Sequence, residues 1–298
     1  MCILALYKQD EFMKKLFFLL FFSTMMVMSY GQNSNPKIDF NQDKTLWQNF
    51  TYDIGNIFGG MGHAYSRPFH WKKKQWNNFL YVAGGTAALY HVDDEFDGWV
   101  DGWRRDVPGG LVDYGNEYGS PNNNYMITGA VYLTGLFIKD EKLRRTGVLL
   151  ISSASAAGLL QQVSKRIIGR ARPRANRGSD VFDPFHIDRV RDYDSFPSGH
   201  AMLGFTNAYA IAKQFKNPWV KAGLYTIGAI PGIIRIVDRF HWISDVAFST
   251  VLSIFIVEAI DKYLDKKYDK KYNDNRVEKN ISWDLQMSPR GVGVVMRF

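Results

Sequence analysis

Apolar stretches of helical length follow one another along most of the chain. From Lys44 onward they are separated by Gly, Pro and Asn, and little strand-like alternation occurs before about the last twenty residues. The fold is therefore expected to be all-α, a helical bundle. The pattern predicts helices at about 44–58, 72–91, 124–138, 141–168, 199–214, 218–236 and 241–267.

Two segments depart from this pattern. Between Ile168 and Pro197 lies a polar connector of about 30 residues, which is longer than ordinary helix connections and so is either functional or disordered. The tail from Ile281 to Phe298 alternates weakly and predicts a small C-terminal β-hairpin. A terminal aromatic residue is also typical of outer-membrane barrel strands, but one hairpin cannot close a barrel, which favours a packed tail.

The N-terminal residues resemble an export signal. Two lysines after Met13 precede an apolar run, Leu16 to Met28, and small residues follow, so cleavage is expected before Gln32. The run is shorter than the about 20 residues that a membrane span needs. Residues 1–12 are then expected to be a mis-assigned start, and they hold the single cysteine, so we expect no disulfide in the mature chain.

The charge balance favours anionic partners. Lys and Arg number 37 against 29 Asp and Glu, a formal charge of +8, which suits phosphate-rich ligands or an anionic membrane surface. A merely basic surface would give the same balance. Because no face interleaves basic and exposed aromatic residues, nucleic acid is not expected as a partner.

No metal site is expected. The run that begins at Asp93 starts like a calcium loop, but Glu95 and Arg104 occupy its third and twelfth positions, so we interpret it as a solvated loop. The remaining histidines lack a repeated ligand spacing, which favours surface or packing roles. They are His63, His70, His91 and His186.

Three segments of the sequence, here called blocks, contain candidate active-site residues. In the first, Lys165 at a helix end is followed seven residues later by Arg172. The lysine ammonium is a point charge and the arginine guanidinium is a planar fork of donors, and together they suit a dianionic phosphate. In the second, Ser198 can cap a helix start, and Gly199 lets an anion approach its free amides. Each block alone also fits a solvated helix end or an ordinary capped turn.

The third block runs from Arg235 to Asp245. His241 and Asp245 are four residues apart, so on a helix they share one face. Asp245 could accept a hydrogen bond from one ring nitrogen and leave the other free to attack. The alternative is an ordinary surface pair worth a few tenths of a kcal/mol.

Together the blocks resemble the type 2 phosphatidic acid phosphatase and vanadium haloperoxidase superfamily. The order and spacing of Lys165, Arg172-Pro, Pro-Ser-Gly-His200 and Arg235 followed by His241 and Asp245 match its pattern over roughly residues 72–267. One position departs, because Ile234 stands where the family has Ser. We expect weaker phosphate anchoring or an altered substrate preference there, not inactivity.

The resemblance implies a role for each motif residue. His241 would attack phosphorus, and Asp245 would fix its tautomer. His200 would protonate the departing oxygen and then activate the water that hydrolyses the phosphohistidine. The groups that would hold the phosphoryl oxygens are Lys165, Arg172, Ser198, Gly199 and Arg235.

The expected function is that of a phosphatase that hydrolyses phosphate monoesters through a phosphohistidine, without metal or other cofactor. Its partner would be a phosphorylated lipid or a small-molecule phosphate ester, with possible membrane contact. Two alternatives remain open: a vanadium-dependent haloperoxidase, in which His241 would be a metal ligand, and a non-catalytic envelope protein of the same fold. Residues of the connector could also shape a leaving-group pocket or be merely solvated: Asp183, His186, Asp188, Asp192 and Asp194.

Domain boundaries follow from these expectations: a signal peptide at 1–31, an N-terminal segment at 32–71, a phosphatase helical domain at 72–267 and a tail at 268–298. The expected location is the periplasm after signal cleavage. Apolar runs are mostly about 13 to 17 residues, and only 242–260 approaches the length of a span. The alternative is a multi-pass inner-membrane protein whose site faces the periplasm, with an uncleaved N-terminal helix.

Overall fold

The computed structural model describes residues 45–185 and 191–272, together with the backbone of two strands near the C-terminus. The described chain is α-helical apart from these strands, which confirms the all-α class. Its helices are α1 (Leu46–Ser66), α2 (Lys73–Tyr90), α3 (Asp93–Val100), α4 (Gly109–Tyr118), α5 (Pro121–Phe137), α6 (Glu141–Ile168), α7 (Gly199–Ala212), α8 (Pro218–Val237) and α9 (Ile243–Tyr272).

Each predicted helix is present, but the sequence pattern missed α3 and α4. The prediction of a solvated loop at α3 is wrong, because its acidic first turn complements the helix dipole and Asp93 is buried against an arginine. The helix α4 was missed because its three glycines, Gly109, Gly110 and Gly115, are poor helix formers.

Capping side chains set the ends of the long helices. The carboxylate of Asp140 accepts the Leu143 amide at 2.7 Å where α6 begins, and Gly169 closes α6 in a left-handed conformation at φ 59°. At the start of α8, the Asn217 side chain accepts the Trp219 amide at 2.8 Å. These ends place Lys165 in the last turn of α6 and Arg235 in the last turn of α8.

The core surrounds α6 and α7. The helix α6 packs against α1, α5, α7 and α9, and α7 packs against α6, α8 and α9. Because α7 has neighbours on almost every side, most of its residues are buried. Fully buried residues of the core include Val148, Leu149, Leu150, Met202, Val257 and Ile260.

Charged residues form a layer at the end of the bundle where α6 begins and α7 ends. Arg145 donates to Asp261 at 2.9 Å, and Lys213 lies 2.6 Å from Glu258. Lys213 is also 3.2 Å from Asp261, so the three helices α6, α7 and α9 are linked by ion pairs at this end.

Among the residues that the structure describes, three helices are long and apolar enough to cross a membrane: Glu141–Ile168, Pro218–Val237 and residues Ile243–Tyr268 of α9. The prediction that only 242–260 approaches this length is therefore wrong. The apolar runs were cut at isolated polar residues such as Gln161 and Lys221, but the helices continue through them.

Near the C-terminus, β1 (Ser282–Ser288) pairs antiparallel with β2 (Gly291–Arg297). The interpretation of this tail as a small packed hairpin stays a prediction. The expected signal peptide and Cys2 lie outside the described residues. The domain boundaries also stay a prediction, and α1, which precedes the boundary expected at residue 72, packs against α6 and α9.

Candidate active site

Four helix ends meet at one place. The C-terminal ends of α6 and α8 carry Lys165 and Arg235, and α7 and α9 begin beside them, at Gly199 and Ile243. The three sequence blocks, far apart along the chain, therefore lie at the same end of the bundle.

The connector from residue 169 to residue 197 is held around this end by backbone hydrogen bonds. The Arg172 amide donates to the Asp192 carbonyl at 2.7 Å, and the Ser195 amide donates to the Arg170 carbonyl at 3.0 Å. The Asp183 amide donates to Gly169 at 2.7 Å. Of the two predicted alternatives, these bonds favour a functional connector. His186 and Asp188 lie outside the described residues.

Each predicted phosphate-binding block presents polar atoms that have no protein partner. Within the described residues, the buried Nε atoms of Arg172 and Arg235 and the buried Oγ of Ser198 make no hydrogen bond. Lys165 is only 8% exposed. Since buried donors are normally satisfied, these unused groups indicate a site prepared for an anion.

The His241 imidazole is oriented by a main-chain carbonyl. It is 3% exposed, and its Nδ1 donates to the Ser195 carbonyl at 2.5 Å. In a neutral ring with its proton on Nδ1, the Nε2 lone pair is available as a nucleophile. Burial, followed by the nearby charges of Lys165 and Arg172, holds the pKa of His241 well below its usual value, so the ring is neutral.

The predicted hydrogen bond from His241 to Asp245 is not formed. His241 Nδ1 and Asp245 Oδ2 are 3.9 Å apart, because Ser195 lies against both residues. Asp245 Oδ2 instead accepts from Ser195 Oγ at 2.5 Å and from the Trp242 amide at 3.0 Å. Asp245 therefore acts on the imidazole indirectly, by holding the residue whose carbonyl orients it.

Arg170, which no motif in the sequence had indicated, holds Asp245 from the other side. Its guanidinium is 2% exposed and donates to Asp245 Oδ1 at 2.6 Å and to Asp93 Oδ2 at 2.8 Å. It also donates to Ser244 Oγ at 2.9 Å and to the Ser179 carbonyl at 2.9 Å. The first arginine of the Gly-Arg-Ala-Arg run, beside the motif arginine Arg172, was a signal for this residue, but its partner on α3 was not readable from the sequence.

The surroundings of His200 favour its neutral form. Its Nε2 accepts a hydrogen bond from Arg235 Nη2. Burial lowers its pKa to about 3, with further contributions from the charges of Arg235, Lys165 and Arg172, while a hydrogen bond with the Asn116 main chain acts in the opposite direction.

The start of α7 differs in detail from the prediction. Ser198 occupies the N-cap position, but its side chain makes no capping bond, so the predicted capping role is wrong and the hydroxyl stays free. Its amide donates to Ser249 Oγ at 2.8 Å. A Cβ on Gly199 would lie 3.0 Å from Gln161 Nε2, so the glycine leaves room for a buried amide one turn before Lys165.

Ile234, which replaces the family serine, is buried against α4. A Cβ on Gly115 would lie 2.6 Å from Ile234 Cγ1, so the two helices meet in close contact there. Of the acidic connector residues, Asp192 lies 3.7 Å from Arg174, and the Asp194 carbonyl accepts from Arg172 at 3.3 Å. Within the described residues, no group of three or more His, Cys, Asp and Glu could hold a metal ion.

The fold and the site define an all-α protein with a cationic, two-histidine cluster at one end of its bundle. The family model described as the PAP2 superfamily matches residues 146–268, a range that contains all three blocks. This match agrees with the resemblance that the motifs indicated.

The individual proteins that this chain resembles are only distantly similar to it. Lipid A 1-phosphatase of Porphyromonas gingivalis is 28% identical over 117 residues, which cover 38% of this chain and 23% of that protein. The first transmembrane PAP2 type phosphatidylglycerolphosphate phosphatase from Bacillus subtilis is 20% identical, with a TM-score of 0.47, over 69% of this chain and 100% of that one. LpxE of Aquifex aeolicus is 18% identical, with a TM-score of 0.41, over 58% and 96% of the two chains.

Proposed function

We propose that this protein is a phosphoric monoester hydrolase that removes phosphate from a phosphorylated lipid through a phosphohistidine on His241. The observation that carries the proposal is the convergence of three sequence blocks, each of which contributes buried donors without a protein partner. The similarity to a lipid A 1-phosphatase supports a lipid phosphate over a soluble ester.

The cations would bind the non-bridging oxygens of the phosphoryl group. Lys165, Arg172 and Arg235 come from α6, the connector and the end of α8, so they can surround a tetrahedral anion from different directions. The Ser198 hydroxyl and the Gly199 amide would add donors as charge shifts in the transition state. Three fixed cations supply the charge that magnesium supplies in many phosphotransferases, so the chemistry requires no metal.

The two histidines would divide the chemistry. His241 Nε2 attacks phosphorus as the ester oxygen departs, and the Nδ1 bond to Ser195 stabilises the imidazolium that forms. His200 gives a proton to the departing oxygen and afterwards takes one from the water that hydrolyses the phosphohistidine. Both rings are neutral before substrate binds, so the proton for the leaving group has to arrive with the substrate or after it.

A membrane location suits a lipid substrate. The helix α6 carries Lys165 at the site and Arg145 in the charged layer at the other end of the bundle. These two residues are twenty positions apart, which is about 30 Å of helix and matches the hydrocarbon thickness of a bilayer. Large apolar side chains of α8 face outward, with Trp219 78% and Ile233 53% exposed. These features favour the multi-pass alternative over the water-soluble bundle, and we propose that the site faces the periplasm.

The function is tested by phosphate release from a panel of lipid phosphates and soluble monoesters, with a metal chelator present. We expect release from lipid esters that is unaffected by the chelator and falls at least about 10³-fold in His241→Ala. His63→Ala is the matched control, because His63 packs against Tyr263 on α9, near the other end of the bundle. Loss of activity in chelator would contradict the metal-free mechanism, and equal activity of the His241 variant would contradict the nucleophile.

Vanadate separates this proposal from the haloperoxidase alternative. A phosphatase should lose turnover when vanadate occupies the phosphate site, because the oxyanion competes with the substrate. Halide oxidation with peroxide, appearing only after vanadate is added, would instead support the oxidoreductase.

A further inference from the structure

One aromatic ring at the site lies against three arginines. The Cζ atoms of Arg174, Arg235 and Arg172 lie 4.4, 4.8 and 5.5 Å from the centroid of the Phe240 ring. Two of these arginines are the proposed phosphate ligands, and Phe240 directly precedes the proposed nucleophile. No sequence motif had indicated a role for this residue.

The backbone fixes the ring and the arginines relative to each other. The Phe240 amide donates to the Arg235 carbonyl at 2.9 Å, and the Arg174 amide donates to the Arg239 carbonyl at 2.9 Å. Arg239, which has a positive φ of 55°, is held through its side chain by Asp97 at 2.7 Å. Phe240 therefore has little freedom to move away from the guanidinium groups.

An aromatic ring suits this position because it attracts cations without cancelling their charge. Three guanidinium groups around one ring repel one another, and the negative face of the ring offsets part of that repulsion. A carboxylate in the same place would hold the arginines more strongly, but it would also neutralise the charge that an incoming phosphate needs. The ring leaves the full positive charge available to the ligand.

We propose that Phe240 is a positioning residue that holds Arg172 and Arg235 in place for the phosphoryl oxygens, with Arg174 as a third cation on the same ring. The proposal rests on the proposed function of the site. Since the ring acts through the arginines, its contribution belongs to the binding of the anion more than to the chemical step.

The test compares Phe240→Leu with Phe240→Tyr. Leucine keeps an apolar side chain but has no π face, whereas tyrosine keeps the ring. In Phe240→Leu we expect the inhibition constant of inorganic phosphate and the KM of an aryl phosphate to rise about tenfold, with kcat changed less than about threefold. Phe240→Tyr should stay within about twofold of the wild type.

Phe248→Leu is the matched control. Phe248 packs against Phe196 with ring centroids 5.0 Å apart, near the same helix ends, but among the described residues no guanidinium lies over its ring. Its loss should leave phosphate inhibition unchanged. Unchanged inhibition in Phe240→Leu would show that the ring is not needed for binding phosphate. Equal weakening in Phe240→Tyr or in Phe248→Leu would indicate an effect of packing alone. Each of these results would overturn the positioning role proposed for Phe240.

Failure of the proposed function gives a different result. Direct binding of inorganic phosphate, measured by the shift in thermal unfolding of each variant, does not depend on turnover. If the wild type binds phosphate but hydrolyses no ester, the phosphatase assignment fails, and the same comparison of affinities still decides the role of Phe240. A wild type that binds no phosphate overturns both.

Discussion

His200 lies among cations from three elements: Arg235 on α8, Lys165 on α6 and Arg172 on the connector, with the Asn116 main chain on its fourth side. Its pKa of about 3 keeps the ring neutral until substrate binds. A bound dianion cancels the charge of these cations, so the pKa of His200 rises in the complex. The proton that the leaving group needs is then brought in by the substrate, whose phosphate has to be in its monoanionic form when it binds.

The low pKa of His200 in the free enzyme predicts the pH dependence of kcat/KM. The value should be level from about pH 4 up to the second pKa of the substrate phosphate, which is near 6, and should fall about tenfold per pH unit above it. Measured with aryl phosphates of different second pKa, the alkaline limb should move with the substrate. A limb near 6.5 that stays fixed for all substrates would show that His200 titrates normally in the free enzyme.

The contacts of Asp245 predict unequal effects for two neighbouring substitutions. Asp245→Asn removes the carboxylate that binds both Ser195 and Arg170, so we expect kcat to fall at least about 10²-fold and stability to fall by about 3 kcal/mol. Ser195→Ala keeps the carbonyl that orients His241, so kcat should fall less than about tenfold. Steady-state kinetics and thermal unfolding of both variants check this. Equal losses of kcat would contradict the prediction, because they would show that the Ser195 hydroxyl alone carries the effect of Asp245 on His241.

At the scale of elements, the junction between α4 and α5 positions His200. A Cβ on Gly119 would lie 2.8 Å from His200 Cβ and 2.9 Å from Pro231 Cβ, so Gly119→Ala must displace the proposed acid. We expect kcat to fall about 10- to 100-fold for alkyl phosphates and much less for aryl phosphates, whose leaving groups need little protonation.

Gly129→Ala, on α5, is the control for this substitution. A Cβ there meets nothing within 4 Å, so activity should be unchanged and the helix slightly more stable. If Gly119→Ala lowered the rates of both substrate classes equally, Gly119 would matter for packing and not for the acid.

The sequence predicted the long helices and the three blocks because both are local patterns. It did not predict α3, because a short acidic helix becomes stable only when Asp93 meets Arg170, 77 residues further on. It placed Asp245 beside His241 from helical spacing alone, yet Ser195, 46 residues before His241, occupies that position. Such contacts come from tertiary packing, which single-sequence periodicity does not contain.

At the scale of the whole molecule, the proposed membrane location, with the site facing the periplasm, predicts which residues are accessible from each compartment. Asp180, in the connector beside the site, and Lys262, in the opposite part of α9, are both exposed. In intact cells, an impermeant maleimide should label Asp180→Cys from the periplasm and should not label Lys262→Cys until the inner membrane is opened. The reverse pattern would place the site in the cytoplasm and contradict the proposed location.

The central claim is the covalent phosphohistidine on His241. The most direct measurement is to mix the wild type with a substrate labelled in its phosphate, quench in alkali during turnover and locate the label by peptide mapping. We expect a base-stable, acid-labile phosphate on the peptide that contains His241, absent from His241→Ala. An unlabelled wild type that still turns over, or an acid-stable label on another residue, would contradict it.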